Sequence, residues 1–147
     1  MSLEAQIQQD IKAAMLAKEK TKLESLRAIK AAILLAKTAD GSDSIADEAI
    51  VKIIQKLVKQ RKETAVIYKE QGREELAEAE LTEASFMEVF LPKQLTEAEV
   101  EAELKVIITE LGASGPQDMG KVMGTATKKL AGIAEGRVIS ALVKKLL

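Results

Sequence analysis

The chain has 147 residues, 47% of them hydrophobic and 31% charged, and its formal net charge is −1. It contains no histidine and no cysteine, which excludes a Ser-His-Asp triad, a cysteine nucleophile and any zinc site built on those ligands. Aromatic residues make up only 2%, namely Tyr68, Phe86 and Phe90, so the core must be assembled from aliphatic side chains. That composition favours helices over strands.

No apolar run approaches the roughly 18 residues of a membrane span. The opening "MSLEAQIQQD" has neither a basic start nor an apolar stretch, so no signal peptide is expected. The absence of cysteine fits a cytoplasmic protein.

Apolar residues recur at helical spacing along nearly the whole chain. Leu3, Ile7, Ile11 and Met15 define a first helix that reaches about Lys18. Leu23, Leu26, Ile29, Ile33 and Leu34 define a second, expected to end before the turn-rich "TADGSD". Asp43, Ser44 and Asp47 are candidate caps for a third. It carries Ile50, Ile53, Ile54, Leu57 and Val58, and Gly72 stands as its stop after Gln71. "REELAEAELTEASFMEVF" is a fourth helix, which must end by Leu91 because Pro92 follows. Thr96 and Glu99 form a capping box for a fifth, and Gly112 ends it after Leu111. Met119, Met123, Ala126 and Leu130 mark a sixth; Val138, Leu142, Val143 and Leu146 mark a seventh.

The expected fold is therefore all-α, with about seven helices in two parts. "LPKQLT" separates a four-helix domain over 1–92 from a three-helix domain over 93–147. Charge is uneven along this plan: residues 1–71 carry net +3, residues 72–91 net −5, residues 92–115 net −3 and residues 116–147 net +4. Basic ends around an acidic middle can mark a partner surface, although a solvated helix face is the commoner origin of any one charge run.

The stretch "GASGPQDMGKVMG" holds four glycines in the joint before the sixth helix. Gly112 supplies a left-handed helix stop, and Ser114 with Gln117 could cap the next helix, Pro116 being tolerated in its first turn. Gly120 and Gly124 lie one turn apart on one helix face. Two glycines inside a helix cost roughly 2 kcal/mol against alanine, so close approach of another helix or of a ligand is expected there. The spacing is not that of a phosphate-binding P-loop, and Asp118 would oppose an anion at the helix start. Gly112, Gly115, Gly120, Gly124 and Gly136 are read as structural glycines.

Lysines form rows that suit the regular charge of a nucleic-acid backbone. Lys52, Lys56 and Lys59 make one row on the third helix, with Lys62 beside it. Lys121, Lys128 and Lys129 fall opposite the apolar stripe of the sixth, and Arg137, Lys144 and Lys145 flank that of the seventh. Arg61 interrupts the apolar stripe of the third helix, as Arg27, Lys30 and Lys37 do that of the second. Such residues either snorkel over apolar neighbours or line a charged groove between the second and third helices. These eleven residues, Arg61 included and the three of the second helix excluded, are the RNA-binding candidates. The acidic run Glu74, Glu75, Glu78, Glu80 and Glu83 reads as a helix face rather than a catalytic or metal-binding set.

"LESLRAIKAAI", "LVKQRKETAVIYKEQGREELAEAE", "FLPKQLTEAEV", "GASGPQDMGKVMG" and "GRVISALVKKLL" together resemble the GatB/YqeY family, over about residues 3–147. The joint "GIAEG" departs from relatives that often carry an Arg and an Asp-Gly there. The resemblance implies an N-terminal helical bundle followed by a three-helix part. It relates the chain to the tail of the B subunit of the glutamine-dependent tRNA amidotransferase, a carbon–nitrogen ligase with glutamine as amido-N-donor. This chain lacks that enzyme's kinase-like cradle and Ser-Lys machinery, so no catalytic residue, cofactor or metal is expected. A YqeY-like module binding tRNA or a tRNA-handling enzyme is the expected role, and a protein-interaction adaptor with no RNA role is the alternative.

Overall fold

The computed structural model describes all residues, Met1–Leu147, as seven α-helices with no strand. They form two compact units, Met1–Leu91 and Pro92–Leu147.

The first unit contains α1 (Leu3–Ala17), α2 (Lys20–Asp40), α3 (Asp47–Glu70) and α4 (Glu74–Glu88). Each helix presents one apolar stripe to a shared core, which is what the helical period arranges. Ile7, Ile11 and Ala14 of α1 meet Leu26, Ile29 and Ile33 of α2, and Ile50, Ile54 and Val58 of α3 meet Ala84 and Met87 of α4. Phe90 closes this core. Met15 and Leu34, placed by spacing in the core stripes, are instead 52% and 62% exposed. Ala14 takes the buried place on α1, because a stripe three to four residues wide can rotate by one position.

Two turns differ from the sequence reading for local reasons. α2 runs on through "TAD" to Asp40, where Gly41 at φ +65 supplies the left-handed cap. Thr38 tolerates the extra turn by donating its hydroxyl to Leu34 O at 2.9 Å. At the start of α3, none of Asp43, Ser44 or Asp47 caps the helix, and Ala46 stands at the cap position. The Asp47 carboxylate instead accepts the Leu3 N–H at 3.0 Å, satisfying one of the orphan donors of α1.

The second unit holds α5 (Glu97–Leu111), a single 3₁₀ turn (Pro116–Asp118), α6 (Met119–Lys129) and α7 (Gly136–Leu146). Val100, Leu104 and Ile107 of α5 pack with Val122 and Ala126 of α6 and with Ile139, Leu142 and Val143 of α7. Val122 and Ile139 are buried where the sequence reading placed Met119 and Val138, which are partly exposed. The entering segment is pinned to the α6–α7 joint: the Leu95 N–H donates to Ile133 O at 2.8 Å, and the Gln94 amide to Gly132 O at 2.8 Å. Ile133 also packs on the core, so the departing joint "GIAEG" serves packing.

The capping box of α5 is complete. The Thr96 hydroxyl accepts the Glu99 N–H at 3.2 Å, and the Glu99 carboxylate accepts the Thr96 N–H at 3.0 Å. The Thr96 backbone N–H, then its hydroxyl, and to a lesser degree Lys93 hold the Glu99 carboxyl below its ordinary value. A carboxyl whose folded pKa is lowered adds stability above its unfolded pKa and loses it as pH falls through the folded one. Thr96→Ala removes the N-cap hydroxyl and should cost about 1 kcal/mol in urea unfolding near neutral pH. The advantage of wild type over Glu99→Ala should be present at pH 7 and shrink as the solution is acidified below about pH 4. An advantage of the same size at both ends of that range would show that the ionised cap is not its source.

Candidate nucleic-acid interface

The joint before α6 is built differently from its sequence reading. Gly112 does take the left-handed conformation at φ +65 and ends α5. Ser114 caps nothing with its side chain. The Asp118 carboxylate reaches back to accept the Ser114 N–H at 3.0 Å, and Pro116–Asp118 forms a 3₁₀ turn before the α-helix starts. A negative side chain thus occupies the entry to α6 and works against an anion there.

Gly120 and Gly124 require a correction. A Cβ built at either meets nothing within 4 Å, and both glycines are exposed. No helix packs closely on them, because the core face of α6 is carried by Val122, Ala126 and Leu130 and the glycines point to the opposite side. Gly136 is open in the same way. Gly115 has an extended backbone at φ −169, and an added Cβ would meet only the flexible Gln117 side chain. Of the five, only Gly112 is required by its backbone; Gly132, at φ +81, is a second such position that spacing did not reveal.

Seven of the eleven basic candidates lie in rows on three helices. Lys121 and Lys128 are exposed on α6, and helical spacing sets them beside the Gly120–Gly124 ridge. Arg137 and Lys144 are exposed on α7. On α3, Lys52 and Lys56 are exposed and Lys59 is half-buried, but helical spacing puts Glu63 and Glu70 on that same face. The α3 row is consequently of mixed charge.

The remaining candidates sit against carboxylates. Lys129 is not opposite the apolar stripe; it turns toward α5 and meets Glu103 at 3.5 Å. Lys145 lies 4.0 Å from Glu101 and Lys62 lies 2.8 Å from Glu88. Arg61 lines no groove between α2 and α3. Its Nε is 3.3 Å from Glu83 of α4, and its Nη1 donates to Leu57 O at 3.4 Å. Sequence spacing showed Arg61 on the wrong face for solvent but carried no signal for its partner.

The arrangement offers a cationic, glycine-lined outer face on α6. No cluster of three or more Asp or Glu residues is placed to hold a metal ion, and no helix is long and apolar enough to cross a membrane.

Known proteins resemble the chain over most of its length. It is 34% identical over 116 residues to "Altered inheritance of mitochondria protein 41, mitochondrial" of Kluyveromyces lactis, covering 76% of this chain and 62% of that protein. The protein of the same name from Meyerozyma guilliermondii is 31% identical over 122 residues, covering 80% of this chain and 63% of that protein. The chain thus spans a little over three-fifths of the length of these relatives. Their names place those proteins in mitochondria, so they lend no support to the cytoplasmic expectation. A family profile described as Yqey-like protein matches residues 4–147, and with that span covering nearly the whole sequence, the chain belongs to the YqeY-like family.

Proposed function

We propose that the chain is a non-catalytic helical module that binds tRNA, or an enzyme that handles tRNA, through the second unit. The observation that carries this reading is the outer face of α6. Two glycines there lower helix stability without any packing reason in the fold, and exposed Lys121 and Lys128 lie along one side of them. A bare helix backbone beside lysines lets a phosphate chain approach closely, and phosphate contacts position a nucleic acid without reading its bases. Arg137 and Lys144 of α7 add exposed positive charge to the same unit; Lys52, Lys56 and Lys59 of α3 belong to the first unit and stand as a separate candidate row of mixed charge. Lys129, Lys145, Lys62 and Arg61 belong to the proposal only insofar as RNA displaces their carboxylate partners. Relation to the amidotransferase is through the family, and amide transfer itself is assigned to other proteins. The cysteine-free composition suits a reducing compartment such as the cytoplasm.

Binding of this kind is electrostatic and indifferent to sequence. With about three to five phosphates neutralised, log affinity should fall with log salt at a slope of roughly −2 to −4. A net charge of −1 gives no long-range attraction, so affinity should be micromolar or weaker near physiological salt. Lys121→Glu with Lys128→Glu should weaken binding and reduce the slope by about 1 to 2, since each lost contact removes about 0.9. Lys129 is left unchanged, because a carboxylate there would face Glu103. A tRNA titration at low salt is the measurement. Absence of binding by the wild-type protein would sink the RNA reading and leave the protein-interaction adaptor in its place.

A further inference from the structure

α1 and α2 run antiparallel, joined through Lys18 and Glu19, and the Lys37 ammonium meets the Glu4 carboxylate at 2.7 Å at the far end of the pair. Between them lies a recess of about 110 Å³ with Ile7 and Ile33 at its floor and Gln8, Lys30 and Leu34 on its walls. A second depression, sharing Gln8 with the first, lies along α1 between Ala5 and Met15 and is lined by that helix alone, Ile11, Lys12 and Met15 included. Leu34 and Met15 are large apolar side chains, yet 62% and 52% exposed. On α2, Arg27, Lys30 and Leu34 recur at intervals of three and four, which sets Arg27 on the helix face of Lys30 and Leu34 that borders the recess; Arg27 and Lys30 are exposed, as is Lys12, which lines the second depression. Glu4, the carboxylate at the groove's end, is taken up by Lys37.

We propose that this groove docks one turn-matched face of an acidic amphipathic helix from another protein. The inference stands apart from the RNA-binding reading of the second unit. An apolar floor with exposed Leu34 and Met15 rewards an apolar ridge at i, i+3/i+4, i+7 spacing, the usual mode of a helix in a groove. The cationic edges select carboxylates flanking that ridge and disfavour a basic partner. The α1 residues that line the two adjoining depressions, Glu4 to Met15, span about 17 Å, the length of about three helical turns. A nucleic acid would gain nothing from the aliphatic floor, and a bilayer would touch the lysine crests without filling the recess. A second copy of this chain is a poor occupant. Its own acidic helices, α4 and α5, already bury their apolar faces through Ala77, Ala84 and Met87 and through Val100, Leu104 and Ile107.

The test uses the full chain and a fluorescent synthetic helical peptide about four turns long, with leucines every third or fourth position and glutamates on both flanks. Its twin carries lysines in place of the glutamates. The acidic peptide should bind at least about tenfold more tightly than the twin, and added salt should narrow the difference. Leu34→Glu and Lys30→Glu, both at exposed positions, should each weaken it by about tenfold or more while circular dichroism stays unchanged. No binding of the acidic peptide, equal binding of the twins, or indifference to both substitutions would overturn the proposal. Sedimentation showing a dimer that Leu34→Glu dissolves would assign the groove to a second copy. Capture on phosphatidylserine vesicles lost in the same variant would assign it to a membrane surface. Either result also refutes the proposed occupant.

Discussion

Replacing Gly120 and Gly124 together by alanine should raise the stability of the α5–α7 unit by about 1–2 kcal/mol. Both residues are helical, neither has a positive φ, and a methyl group at either would stand in open space. The gain comes from the unfolded chain, which loses backbone freedom, and from better helix propensity. Gly124 should contribute more than Gly120, which sits in the first turn where propensity counts less. For a unit of this size the melting temperature should rise by roughly 5–10 °C, read by the amide protection of α6. Gly112→Ala is the opposing control. Its φ of +65 is strained for any residue with a Cβ, so a loss of about 1–2 kcal/mol is expected. The same Gly120/Gly124 double variant should bind tRNA several-fold more weakly, because the added methyls hold a phosphate chain away from the helix. A double variant no more stable than wild type would show that the fold itself compensates for the glycines.

Glu83→Ala should destabilise the first unit by about 1–3 kcal/mol in urea unfolding. Arg61 and Glu83 retain only 19% and 25% of their side-chain exposure, and the Arg61 Nε is buried without an aligned hydrogen bond. Removing the carboxylate leaves a guanidinium between α3 and α4 with little compensation; the remaining solvent access keeps the cost below that of a fully buried charge. Arg61→Met combined with Glu83→Leu should restore stability to within about 1 kcal/mol of wild type, since an apolar pair of similar volume needs no desolvation of charge. Glu88→Ala provides the contrast. Its partner Lys62 is 55% exposed, and loss of an exposed pair should cost less than about 1 kcal/mol. Equal effects of Glu83→Ala and Glu88→Ala would mean that burial of the Arg61 pair adds nothing.

Several basic positions show how far a linear pattern reaches. Lys121 and Lys128 were legible as outward residues because a helix face follows from spacing alone. Lys129 was not, because one further step of about 100° carries it toward α5, and only the placement of α5 supplies Glu103. The α3 row was legible as lysines, while Glu63 and Glu70 on the same face reduce its net charge. The α1–α2 groove was half visible: Arg27, Lys30 and Lys37 stood out as charges in an apolar stripe, but the recess needs two helices side by side.

By itself the sequence determined the all-helical fold, the order of seven helices, the Thr96–Glu99 box and the glycine stop at Gly112. These depend on contacts within one or two turns, where period, cap and backbone conformation act locally. The tertiary structure alone decided that Arg61 faces Glu83, that Asp47 serves the start of α1, and that Gly120 and Gly124 look outward. Each of these depends on the rotation of one helix against another. A stripe of apolar residues sets that rotation only to within about one position, because neighbouring residues on a helix differ by 100° and two adjacent stripes bury nearly equal area.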